Sequence, residues 1–85
     1  MKFTAEIDIM PLKELLDPQG KAVKLGLGNL GIQGVADVRV GKHISVQLEA
    51  NSEGEAREMV DTACKKLLSN VIMEDYSFQL SPAEG

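Results

Sequence analysis

Tryptophan is missing from this chain, and its only aromatic side chains are Phe3, Tyr76 and Phe78. A surface that stacks bases needs exposed rings on neighbouring strands, and no pair of segments here supplies them. There is one cysteine, Cys64, and one histidine, His43. A lone cysteine makes no internal disulfide, and one histidine with no thiol nearby falls short of a zinc-type ligand set. No apolar run approaches the roughly 18 residues of a membrane span. The N-terminus lacks the basic region and apolar block of a signal peptide. The expected location is therefore cytoplasmic. Basic charge is scarce too: 13 acidic side chains against 9 basic ones give a net charge of −4. That balance speaks against nucleic acid and anionic membranes, which select basic patches.

Catalytic sets are also missing. The chain has no nucleophile–base pair, no metal-ligand spacing and no phosphate loop. Gly26-Leu27-Gly28-Asn29-Leu30-Gly31 spells G-x-G-x-x-G. The dinucleotide fingerprint, however, sits between a strand and a helix, and these glycines fall within and at the end of a predicted helix. The expectation is a chain with no catalytic, cofactor-binding or metal-binding residue of its own.

What is present is strong patterning. The 85 residues make one domain, residues 1–85, with 81–85 as a frayed tail. Phe3, Ala5, Ile7 and Ile9 alternate with Lys2, Thr4, Glu6 and Asp8, which predicts a half-buried strand ending at Pro11. Asp17-Pro18 is a helix start, with Asp as cap and Pro at the first position. Val23, Leu27 and Leu30 then form one stripe, and Gly31 closes the helix. Leu25 points off that stripe. Gly26 and Gly28 weaken the helix and call for a close-packed neighbour. Residues 35–50 read as a hairpin, with Ala36, Val38 and Val40 paired through a Gly41-Lys42-His43 loop to Ile44, Val46 and Leu48. Ser52 to Glu55 fits a capping box. Ala56, Met59, Val60, Ala63, Cys64, Leu67 and Leu68 continue at helical spacing, with Lys65 and Lys66 near the end. A last strand covers about 71–80. The fold class is thus α+β, in the order strand-helix-strand-strand-helix-strand. A mostly antiparallel sheet carries both helices on one face.

Several residues invite a chemical reading. His43 reads as a solvated loop residue and Cys64 as plain core. Glu74 and Asp75 are neighbours in a strand, so they point to opposite faces and do not act on one atom. Arg39, Lys42 and His43 gather around a hairpin end, either as an ordinary turn or as an anchor for an acidic or phosphate-bearing surface.

Three segments taken together resemble the PurS family, the small subunit of phosphoribosylformylglycinamidine synthase. They are Asp17-Pro18-Gln19-Gly20, Asp37-Val38-Arg39-Val40-Gly41-Lys42, and Leu67-Leu68-Ser69-Asn70 with Glu74-Asp75-Tyr76. The resemblance runs from about Ile7 to Tyr76. Val71 departs from it, standing where many members have Pro, and so do Leu25, Gly26 and Gly28 in the first helix. The resemblance implies a role in the fourth step of de novo purine synthesis, in which formylglycinamide ribonucleotide is amidinated at the expense of ATP and glutamine. It implies a large synthetase subunit holding ATP and Mg²⁺, a separate glutaminase subunit, and a small subunit that bridges them and helps shield ammonia. It further implies a homodimer or homotetramer. By position, Asp17, Gln19, Arg39, Lys42, Glu74, Asp75 and Tyr76 become candidate partner contacts, and Leu25 a candidate oligomer contact. The competing reading is a free-standing regulatory domain that binds a small metabolite.

Overall fold

The computed structural model describes residues 1–83. Strand β1 spans Lys2–Pro11, helix α1 Pro18–Asn29, strand β2 Lys42–Glu49, helix α2 Glu53–Ala63 and strand β3 Glu74–Pro82. A five-residue π-helical turn, Cys64–Leu68, extends α2. The sheet is antiparallel with β1 in the middle, in the order β2-β1-β3. Its register stacks apolar side chains in rows: Ile7 lies opposite Ile44 and Phe78, and Ala5 opposite Val46 and Leu80. Central β1 therefore buries Phe3, Ala5, Ile7 and Ile9, while the edge strands stay half-buried. Burying each of the two isoleucines contributes about 1.5–3 kcal/mol.

Helix α2 and the π turn that extends it close this face with Ala56, Val60 and Cys64. Ser52 caps it, its Oγ accepting from the Glu55 N–H at 3.1 Å. The other half of the expected capping box is rearranged, because the Glu55 carboxylate takes the Asn51 side-chain amide at 3.2 Å. Leu67, expected on the apolar face, is 81% exposed. The π turn is wider than an α turn, so it rotates Leu67 out of the stripe and brings Leu68 in. Ser69 closes the turn by donating its Oγ–H and N–H to the Cys64 carbonyl.

An antiparallel sheet with two helices is the class the sequence predicts, but of the two helices expected on one face only α2 lies on the sheet, and one strand of the expected order is absent. Residues 33–41 are not in the sheet, and β2 pairs along its whole length with β1 instead of with 36–40. The expected hairpin is therefore replaced. Residues 33–41 run back beside α1: the Lys24 ammonium donates to the Ala36 carbonyl at 3.0 Å, and the Val40 N–H donates to Asp17 at 2.9 Å. The alternation of Ala36, Val38 and Val40 suits an extended chain, but nothing in it names the neighbour. The last strand begins at Glu74, after a turn at 71–73. Ser81 and Pro82, expected to fray, pair with Thr4 and Phe3. Glu84 and Gly85 of that expected tail lie outside the described residues.

Candidate functional site

Helix α1 and residues 33–41 form an arm that gives the molecule extents of 51 × 28 × 15 Å. Its root is built by the Asp-Pro-Gln-Gly motif. One Asp17 oxygen accepts from the Gly20 N–H at 3.0 Å, capping α1. The other accepts from the Val40 N–H and so fastens the returning chain to the helix start. Gly20 is buried, and a Cβ there would collide with the Val38 carbonyl and the Asp17 carboxylate. The bonds from Gly20, and then from Val40, hold the Asp17 carboxyl below its ordinary pKa, with a smaller push from the Arg39 charge. Gly41 makes a second crossing, where a Cβ would strike Met10 Sδ and the Ile9 carbonyl. At the far end of α1, Gly31 takes φ +84° and the Ile32 N–H returns to the Leu27 carbonyl at 3.1 Å. This is the glycine closure the sequence predicts.

The arm carries uncovered apolar side chains. Leu25 is 69% exposed, Leu30 is 76% exposed, and Val23 and Ile32 are exposed beside them. A Cβ at Gly26 or Gly28 would meet nothing within 4 Å, so the close neighbour those glycines call for is not supplied by the described residues. At the root, Lys13, Lys21 and Arg39 share a hollow of about 390 Å³ with Glu14, Asp17 and Asp37. A second, apolar hollow of about 180 Å³ lies between α2 and β2, lined by residues including Val46, Leu48, Met59 and Leu68.

The candidate contacts do not form one cluster. Asp17 is engaged inside the root. Glu74 accepts from the Asn70 N–H at 2.8 Å and pairs with Lys42 at 3.5 Å, bracing the loop before β3. Tyr76 donates its O–H to Asp61 at 2.5 Å, tying β3 to α2. That bond pushes the Tyr76 pKa up to about 12, and together with Lys65 it holds Asp61 below its ordinary value. Gln19 and Asp75 are exposed and Arg39 is half-buried in the root hollow. Arg39, Lys42 and His43 do not gather at a hairpin end. Lys42 turns to Glu74, while His43 lies on the open sheet face between two acids. The His43 cluster is the feature missed in the sequence. Alternation placed Glu6 and Asp8 on one face, but setting His43 opposite Asp8 requires the β1–β2 register. Cys64 is buried, and that burial raises its thiol pKa, as suits core. Among the described residues no group of three such side chains is arranged to hold a metal ion. No described helix is long and apolar enough to cross a membrane.

The family model for PurS, phosphoribosylformylglycinamidine (FGAM) synthase, matches residues 4–82. Phosphoribosylformylglycinamidine synthase subunit PurS of Synechocystis sp. is 46% identical over 71 residues, covering 84% of this chain and 71% of the relative. The Bacillus subtilis subunit of the same name is 40% identical over 70 residues, covering 81% and 82%. A chain in the solved structure of PurLQS from Thermotoga maritima matches with a TM-score of 0.87 and 30% identity, covering 95% of this chain and 99% of that one.

Proposed function

The chain belongs to the PurS family of phosphoribosylformylglycinamidine synthase subunits, and we propose that it holds the large synthetase subunit and the glutaminase subunit together and helps shield ammonia between them. It serves purine biosynthesis as an assembly subunit. On this reading ATP and Mg²⁺ are held by the large subunit and none by this chain. The arm is the observation that carries the reading. A helix of 12 residues, about 18 Å long, stands away from the sheet with Leu25, and Leu30 at its end, uncovered. Apolar surface of that kind marks contact with another protein.

The two ends of the arm suit different contacts. The tip, with Leu25, is apolar and suits a second copy of the chain in a homodimer or homotetramer. The root, with Arg39 and the exposed Gln19, is polar and suits a catalytic subunit. Arg39→Ala is expected to weaken co-elution of the three subunits on size exclusion while leaving the melting temperature nearly unchanged. Leu25→Glu is expected to lower the sedimentation coefficient of the free chain. Parent-like co-elution and sedimentation in these variants would count against the two assignments.

A further inference from the structure

Both ring nitrogens of His43 face carboxylates on the open side of the sheet. Nδ1 lies 2.7 Å from Asp8 Oδ1, and Nε2 lies 2.6 Å from Glu6 Oε2. A neutral imidazole has one N–H, so it donates to one acid and turns a lone pair toward the other; only the imidazolium donates to both. The register builds the site, since His43 stands opposite Asp8, and Glu6 is two residues back on the same face. Ser45 Oγ donates to the second Glu6 oxygen at 3.0 Å. On β3 the residues opposite Glu6 and Asp8 are Gln79 and Ser77, neither of which titrates, and Asp75 follows opposite Met10.

His43 is the second residue of β2, where the chain leaves 33–41 and joins the sheet. β2 is an edge strand, held by β1 on one side. We propose that His43, Glu6 and Asp8 form a proton-operated latch that fixes the start of β2, and with it the Arg39 side of the arm, in the orientation that docks the partner subunits. The proposal rests on the assembly reading above and adds its regulation. Protonated, His43 ties β2 to β1 through two charge-assisted hydrogen bonds. Deprotonated, it keeps one, and Glu6 and Asp8 repel each other across it.

The pH window follows from the same contacts. Asp8, and then Glu6, raise the His43 pKa above its ordinary 6.5, so the latch is fully closed below 6.5 and opens as pH climbs through the raised value. His43, and then Ser45, lower the Glu6 pKa below its ordinary 4.5, so Glu6 contributes fully above 4.5 and is lost only as pH falls through the lowered value. The groups are exposed, so added salt weakens the latch.

The test compares the parent, His43→Gln and the Glu6→Gln/Asp8→Asn double variant over about pH 5.5 to 9, where a histidine changes charge. In the free chain, NMR follows the His43 ring and the exchange of the Lys42 and Ile44 amides, which face β1 in the antiparallel register, corrected for intrinsic exchange. The parent ring is expected to titrate above 6.5 and the double-variant ring close to 6.5, with faster exchange above the parent midpoint. Affinity for the large and glutaminase subunits is expected to fall through that midpoint in the parent and to stay flat in His43→Gln. A ring that titrates at or below 6.5 overturns the latch. Coincident affinity profiles in a complex that forms overturn this inference alone. A latch in the free chain with no complex at any pH overturns the docking role and the assembly reading together.

Discussion

Gly20 and Gly41 sit where two stretches of backbone cross, and at each the missing Cβ is what lets the chains approach. At Gly20 the crowding atoms belong to the Val38 backbone and the capping Asp17, neither free to step aside. Gly20→Ala should therefore cost about 1–3 kcal/mol, as overpacking does. Gly54→Ala, whose nearest neighbour is Ser52 Oγ at 3.9 Å, should leave stability unchanged or higher. Urea melts of the two variants check this, and a parent-like Gly20→Ala melt would contradict the crossing. Tyr76 is the only tyrosine, so its ionisation can be followed by ultraviolet absorbance. Its midpoint is expected at about 12 in the parent and closer to the ordinary 10 in Asp61→Asn. The raised value means that the bond stabilises fully below pH 10 and is lost as pH rises toward 12. A parent midpoint near 10 would show that the bond is absent in solution. The sequence marked Asp17 as a helix cap and as a partner contact. Capping was legible because it is local. The bond to Val40 spans 23 residues, and no local pattern carries it.

Helix α1 was legible from its caps, and β1 and β3 from alternation. What α1 packs against was not legible, because Gly26 and Gly28 ask for a neighbour without naming it. In the free chain each Gly→Ala change there removes a helix penalty of about 0.8–1 kcal/mol. The double variant Gly26→Ala/Gly28→Ala should thus melt higher than the parent yet self-associate less, if a second copy packs on that face. A gain in stability with unchanged sedimentation would assign the glycine face to solvent. Residues 36–40 show a different limit. Their period of two is right for extended chain, but β2 pairs with β1 and leaves its own outer edge unpaired, while this stretch fastens to α1 and its cap through Ala36 and Val40. The π turn was hidden for a similar reason: Leu67 and Leu68 both fit an α-helical stripe, and only the wider turn separates them.

At the scale of the molecule, the described residues put one helix over a three-stranded sheet, leave both sheet edges open and extend an apolar arm into solvent. A chain of 85 residues buries a modest share of its surface, so covering the arm and the hollow beside β2 adds core that the single chain lacks. These features fit a protein that contributes to catalysis by joining subunits. The most direct check is the glutamine-dependent activity of the large and glutaminase subunits assayed with and without this chain, alongside the same assay driven by ammonia. Glutamine-dependent turnover is expected to need the chain, and ammonia-driven turnover to need it much less. Equal glutamine-dependent rates with and without the chain would contradict the account.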